Sequence, residues 1–513
     1  MKSNKHSNRS SYLKIKLSGL VILLLLGTSI TSCDDSVSNN SESPQLGVTE
    51  VPEGFIIEMV VDGLTYPTSV TWDDEGNMFV VEAGGGLNPE QLAPSRLLRV
   101  EQGQTAEISD LSENGVHASV VGLTWYNGAF FITHRAADLS GAVSKVTKAG
   151  QVTQLFDGIL DSQAEHQIND IAVGPDGMMY ITAGAAGNSG VMDLSVAPWV
   201  MVSPDVHTTA CQDIVLLGKN FKTPDFRTED PTDTVMTGAY VPFGTETTVG
   251  QVIPGVNKCG GSILKFNPDD PSTIATHAWG FRNLIGITWN DNGQMFAAEN
   301  GYDVRGSRPV NDEFDVTLKI MEGVWYGVPD YSAAREPLTE DKFESPDSLQ
   351  SEIFINGELI GKDLGFLIDH EASGLTPPDP SLVLGRHEIN SSPSMLDVAP
   401  ASWGDIAGQL FVAEWGDLAP PTNPLRGTTP TQGYRVAMVD PTTGSVTSFV
   451  ANVGGGPASA SGATGIERPF DVKFGPDDAM YIVDYGIVEI DMTKKPPYDY
   501  KSGSGTIWKV SKE

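Results

Sequence analysis

A self-similar unit recurs six times between Pro67 and Gly486, and this recurrence restricts the fold more than any other feature of the chain. Its members are residues 67–84 (PTSVTWDDEGNMFVVEAG), 120–135 (VVGLTWYNGAFFITHR), 168–185 (INDIAVGPDGMMYITAGA), 284–301 (LIGITWNDNGQMFAAENG), 400–416 (PASWGDIAGQLFVAEWG) and 469–486 (PFDVKFGPDDAMYIVDYG). In each, a run of alternating β-branched or apolar residues meets a polar turn of Gly, Asn and Asp, and a second β-rich run follows, the pattern of a hairpin. Further runs of strand character follow several units, at 96–100, 142–146, 262–266, 434–439 and 506–510. Three or four strands per unit, about six units and no sustained helical period describe an all-β chain, a six-bladed β-propeller. One small sheet cannot bury both of its faces, but a closed ring of sheets can. The pattern predicts one propeller domain over residues 51–513, with 54–64 (GFIIEMVVDGL) supplying an outer strand to the last blade and locking the ring.

The spacing of the units is uneven, with long inserts around residues 186–260 and 331–390. Both follow an inner hairpin, so both project from one rim, where a rigid scaffold usually carries its site. Mere decoration is the alternative.

Composition narrows the partners. A hydrophobic fraction of 40% excludes disorder of the whole chain, and a formal charge of -34 makes a nucleic-acid backbone an improbable partner. Acid is absent from the first 32 residues, which carry Lys2, Lys5, Arg9, Lys14 and Lys16 ahead of the apolar run 17–26 (LSGLVILLLL). That is a secretory signal too short to span a bilayer, assigned to residues 1–32. It leads into Ile30-Thr31-Ser32-Cys33, which resembles the lipobox of bacterial lipoproteins and implies a lipid on Cys33, with ordinary cleavage and a free thiol as the alternative. Residues 33–50 then read as a flexible tether. The expected place is the bacterial cell envelope, with membrane contact through the lipid anchor only. Export agrees with the cysteines: Cys211 and Cys259, flanking the first insert, are expected to pair as a disulfide rather than remain as two thiols.

Three segments together resemble the glucose/sorbosone dehydrogenase family, whose better-known members are six-bladed propellers that use pyrroloquinoline quinone with calcium. These are 166–184 (HQINDIAVGPDGMMYITAG), 279–301 (WGFRNLIGITWNDNGQMFAAENG) and 312–331 (DEFDVTLKIMEGVWYGVPDY). Within them, Gly280-Phe281-Arg282-Asn283 is similar to the family's Gly-x-Arg-Asn, and Glu299-Asn300-Gly301 to its calcium loop. The chain departs from the family pattern at Ala185-Ala186-Gly187, where sugar-oxidising members carry acid and amide side chains, and at Tyr302, where Pro is common. Arg426 is the candidate for a late cation that grips the quinone carboxylates.

The resemblance implies roles for named residues. His166 is the general base, since an imidazole can accept the proton of a sugar hydroxyl as hydride leaves the same carbon; a loop histidine bonded to backbone is the alternative. Arg282, with Asn283, contacts the quinone and stabilises negative charge as hydride arrives, the alternative being an ion pair between blades. Glu299, Asp303 and the carbonyls of Gly301 and Tyr302, with Asn300, Asp312 and Glu313 near in sequence, give an oxygen cluster suited to calcium, or else a solvated acidic loop. Trp325, Tyr326, Trp403 and Trp415 read as wedges between blades in preference to sugar platforms. The expected activity is a sugar (aldose or polyol) dehydrogenase with pyrroloquinoline quinone and calcium as cofactors, a small sugar as substrate and an unspecified electron acceptor. A calcium-dependent lactone hydrolase and a non-catalytic propeller binding glycans or proteins are the alternatives.

Overall fold

The structure is a computed structural model that describes residues 48–426 and 432–513. The signal segment, Cys33 and the tether up to residue 47 lie outside the described residues.

Six antiparallel sheets of four strands or more form the blades, and each runs outward in chain order from its innermost strand, except that N-terminal strands add the outer edges of blades 5 and 6. The innermost strands are Pro67–Trp72, Leu123–Tyr126, Ile168–Val173, Asn283–Trp289, Pro393–Val398 and Pro469–Phe474, for blades 1 to 6. Neighbours in that series touch one another, and the last touches the first, so the described residues close a ring.

The hairpins form for local reasons. In blade 1 the Asp73 carboxylate accepts from the backbone N–H of Glu75 and Asn77 at 3.0 and 2.9 Å, and Gly76 takes φ +78°. In blade 4 the Asn290 side chain does the same for Asn292 and Gln294 at 3.1 and 3.0 Å, with Gly293 at φ +75°. An Asx turn closed by a residue free to adopt positive φ is what the Asp/Asn-x-x-Gly spelling encodes.

The ring is locked as the sequence leads one to expect. Phe55–Leu64 pairs with the C-terminal strand Gly505–Lys512, from Phe55 opposite Lys512 to Leu64 opposite Gly505. Thr49–Glu50, read above as the end of the tether, adds an edge strand to blade 5 opposite Asn452 and Ala451. Blade 5 also differs from its expected start. Its innermost strand begins at Pro393, and the segment Ala401–Ile406 winds into short helical turns within the hairpin connection. Trp403 from those turns packs against Phe411, Phe449 and Phe474, wedged between blades 5 and 6.

Buried carboxylates stitch the inner strands together. Asp170 of blade 3 accepts from the Ile287 N–H of blade 4 at 3.1 Å, Asp397 of blade 5 from Phe474 N–H of blade 6 at 2.9 Å, and Asp471 of blade 6 from Val70 N–H of blade 1 at 3.2 Å. Lys473 supplies the nearby positive charge, 3.5 Å from the Asp471 carboxylate and 3.0 Å from Ser69 Oγ.

The two inserts do not decorate the rim separately. Asn220–Pro224 and Thr234–Gly238 from the first join Glu352–Ile355 and Glu358–Gly361 from the second in one four-stranded sheet. Its core draws on Phe221, Tyr240, Ile353 and Leu367 and reaches Trp279 and Trp325 of the propeller. Cys211 and Cys259 are disulfide-bonded across the neck of the first insert, 48 residues apart in sequence. Replacing both with Ser is expected to cost about 2–4 kcal/mol by releasing that loop in the unfolded chain. Urea unfolding under non-reducing conditions measures it, and an unchanged midpoint would show that the bridge contributes nothing.

Candidate functional site

A pocket opens on the ring axis where the inner strands begin. Every blade contributes to it, through Thr68, Val121, His166, Asn283, Ser394 and Phe470 in blade order. Convergence of loops from separate blades is the usual way this architecture builds a site.

His166 stands just ahead of the inner strand of blade 3 and is 5% exposed. Its place depends on Gly184, where a Cβ would collide with the His166 side chain and lie 2.9 Å from Asn283 Oδ1. Nδ1 lies 2.8 Å from the Ala185 carbonyl oxygen. A carbonyl can only accept, so Nδ1 carries the proton and Nε2 of the neutral ring is left as an acceptor. Burial, reinforced by the positive charges of Arg282 and Arg305, holds the His166 pKa well below the ordinary imidazole value.

Arg282 reaches the pocket wall from the turn before the inner strand of blade 4, where Gly280 at φ +84° leaves room for Trp325. Its guanidinium donates to Asp303 Oδ2 at 2.6 Å and to Asn188 Oδ1 at 3.0 and 3.2 Å. Asp303 also accepts from Arg305 Nε at 2.8 Å and from Asn390 Nδ2 at 3.1 Å, and Arg305 pairs with Glu165 at 2.8 Å. Burial alone would raise the Asp303 pKa, but the two arginines outweigh it and the net shift is downward. Beside this chain of ion pairs lies an amide cluster. Asn283 Nδ2 donates to Asn300 Oδ1 at 3.3 Å, and Asn169 Nδ2 to the Leu284 carbonyl at 2.9 Å.

Of the site residues singled out from the sequence, His166, Arg282, Asn283, Asn300, Gly301 and Asp303 line this pocket together. Glu299 and Tyr302 sit behind the wall. Glu299 accepts from Arg335 Nη2 at 2.6 Å and from the Arg282 backbone N–H at 2.8 Å, and the Tyr302 hydroxyl donates to the Tyr331 carbonyl at 2.9 Å. Among the described residues no group of three or more His, Cys, Asp or Glu side chains is placed to hold a metal ion. Arg426 does not line the pocket; it donates to the Ile389 carbonyl at 2.7 Å and pairs with Asp417 at 3.0 Å.

Several wall residues escaped sequence reasoning. Gln167 Oε1 and Trp415 Nε1 are buried at the pocket without a hydrogen-bond partner. Trp415 packs between blades 5 and 6, with the Arg468 guanidinium 4.3 Å from its ring centre and the Tyr485 ring 5.9 Å away, and it lines the pocket as well. Asp315, pushed up to about 6 by burial, accepts from Gly301 N–H and Ser392 N–H at 2.8 Å each and fixes the loops of blades 4 and 5. Asn188, one residue past Ala185-Ala186-Gly187, supplies the amide that those three residues lack. Gln167 and Asp315 lie inside recognised segments, which was the available signal; Trp415 stood among the aromatic candidates, and Asn188 carried no signal.

Comparison with known proteins agrees with the architecture. Residues 41–201 match a family described as a domain of unknown function, DUF7133. No curated protein matches. Among solved structures, the holo form of the pyranose dehydrogenase PQQ domain from Coprinopsis cinerea is 14% identical, with a TM-score of 0.51, 92% of this chain and 98% of that one covered. The calcium structure of the Trichoderma reesei Carbohydrate-Active Enzymes Family AA12 protein is 12% identical, with a TM-score of 0.52 over 91% of this chain and 98% of that one. At such identities the likeness establishes the fold, and this chain is an all-β propeller of the same architecture as both.

Proposed function

We propose that the chain is a sugar dehydrogenase that oxidises a secondary or anomeric hydroxyl of an aldose or polyol, with pyrroloquinoline quinone as its cofactor in the axial pocket. The observation that carries the reading is His166, buried and kept neutral at the pocket wall with Nε2 left to accept a proton. The names of the pyranose dehydrogenase PQQ domain and the AA12 protein, which share the fold, point the same way.

The donor set fits a flat, oxygen-rich group. Arg282 and Asn283 bring N–H donors to the pocket lining, Trp415, Phe470 and Tyr485 bring rings, and the unpartnered Trp415 Nε1 is a spare donor. The carboxylates of Glu299 and Asp303 are engaged by arginines and do not fit a calcium ion, so no step is routed through one. When bound, the quinone supplies a two-electron acceptor for hydride.

The residues of the chain do the rest. Nε2 of His166 takes the hydroxyl proton as the C–H bond breaks, so alcohol becomes carbonyl with the loss of one hydride and one proton. The imidazolium so formed sits near Arg282 and Arg305, which disfavour it and return the proton to solvent. Arg282, held by Asp303 and Asn188, would set a fixed positive charge against the oxygens of a bound acceptor.

The test is reconstitution. With pyrroloquinoline quinone added, the protein is expected to shift the quinone absorption at micromolar concentration and to reduce a dye when given aldoses or polyols. Arg282→Ala is expected to weaken that complex by about tenfold or more, the share of a charge-assisted contact. Failure of the unaltered protein to bind the quinone, or lactone hydrolysis without dye reduction, overturns the reading. The proposal also places the protein in the bacterial envelope on a lipid at Cys33, for the order of basic front, apolar run and Ser-Cys junction. Cys33→Ala should then move it from the membrane fraction to the soluble one.

A further inference from the structure

We infer that the cleft between the inserts and the rim is an extended binding site for a neutral oligosaccharide, whose terminal unit enters the axial pocket. For the fate of that terminal unit alone, the inference rests on the dehydrogenase reading.

The cleft adjoins the pocket, and Leu87 and Glu165 line both. Its walls come from the loop after the second strand of blade 1, the two inserts and the segment Lys495–Tyr498, with Glu165, Arg305, Gly306 and Pro421 from the rim loops of blades 3 to 5. It encloses about 2630 Å³ open to solvent, against about 1040 Å³ in the pocket. One sugar unit seated in the pocket therefore leaves the cleft unfilled.

Charge decides what class of chain it takes. The acids on its walls are Glu90, Glu165 and Glu352, and the bases are Lys222, Arg305 and Lys495. They balance, on a protein whose formal charge is -34. Two pairs are closed within the cleft, Arg305 to Glu165 at 2.8 Å and Lys222 to Glu352 at 3.1 Å. A polyanion or polycation therefore meets no net attraction here, whereas a neutral hydroxyl-bearing chain meets no penalty. The remaining surface suits such a chain. Pro224, Pro496, Pro497 and Tyr498 give rigid apolar faces for sugar C–H groups, and Ser195 and Gln350 offer hydrogen bonds between them. A single sugar touching only the pocket uses none of these groups.

The experiment is calorimetric titration of cofactor-free protein with neutral gluco-, xylo- and manno-oligosaccharides of one to six units. In at least one series the pentamer or hexamer is expected to bind about tenfold or more tightly than the monomer. Tyr498→Ala should lower that ratio about tenfold. Thr234→Trp should do the same by narrowing the cleft from an exposed position. Equal affinity at every length in all series overturns the inference, as does a preference for oligogalacturonate. Sugar oxidation without length dependence removes the cleft and leaves the dehydrogenase. Length-dependent binding by a protein that never binds the quinone removes the dehydrogenase and leaves the cleft.

Discussion

His166→Ala is expected to lower turnover of the quinone-loaded protein by two to four orders of magnitude, about 3–5 kcal/mol on the barrier, while quinone affinity changes less than threefold. The separation follows from geometry: the donors assigned to the cofactor sit on Arg282 and Asn283, and the imidazole is held to backbone through its Nδ1 bond to the Ala185 carbonyl. The pH profile gives a second check. Burial first, then Arg282 and Arg305, depress the His166 pKa, so the acid limb of kcat/KM should lie well below about 6.5, where an unperturbed imidazole would put it. Stability has a matching sign. The unfolded chain binds this proton near pH 6.5 and the folded chain does not, so stability is full above that pH and is lost as pH falls below it. Ala at position 166 should remove that part of the acid sensitivity. An equal fall in binding and turnover, or an acid limb at 6.5 or higher, would make His166 a structural residue.

Lys473→Met is expected to destabilise the propeller by about 3–5 kcal/mol at pH 8, the usual penalty for removing one partner of a buried pair. Asp170, Asp397 and Asp471 carry the hydrogen bonds between blades, and Lys473 is the base whose charge acts on all three. Burial pushes the Asp170 carboxyl up to about 6, with Lys473 drawing it down and Asp471 pushing it further up. A folded pKa raised above the unfolded value of about 3.9 means that the folded chain binds protons first, so stability rises as pH falls through 6. Without Lys473 the carboxyl rises further and the gain on acidification grows. Urea unfolding at pH 8 and 5.5 should therefore show a large deficit that shrinks at the lower pH. The same deficit at both values would mean that the stem of Lys473 matters and its charge does not.

Much of the fold was legible because it is written in contiguous residues. The Asp73-x-x-Gly76 and Asn290-x-x-Gly293 turns form from hydrogen bonds within five residues, and the alternation on either side of them sets which face is buried. The ring lock at Phe55–Leu64 followed from strand character at the start of the domain and a last blade lacking its outer strand. The disulfide followed from two cysteines at the mouth of an insert. Blade 5 was misplaced because its hairpin connection holds the helical turns Ala401–Ile406, which break the spacing that marks the other units.

The site was legible in part. His166, Arg282 and Asn283 lie in segments whose spelling is distinctive, and the pocket brings them together. Side-chain partnership was not visible: nothing near Glu299 in the chain announces Arg335, 36 residues away, and nothing near Arg282 announces Asn188, 94 residues away. Nor was there any sign that Asn220–Pro224 and Glu352–Ile355, from different inserts, pair within one sheet to wall the cleft. By itself, then, the sequence determined the hairpin unit, its repetition and the closure of the ring, because backbone hydrogen bonds and side-chain alternation depend on neighbours along the chain. Which carboxylates are spent on arginines, which amides face the pocket and how wide the cleft opens were decided by the tertiary structure alone, since electrostatic and packing energies depend on distance in space, and the ring sets those distances only once all six blades have closed.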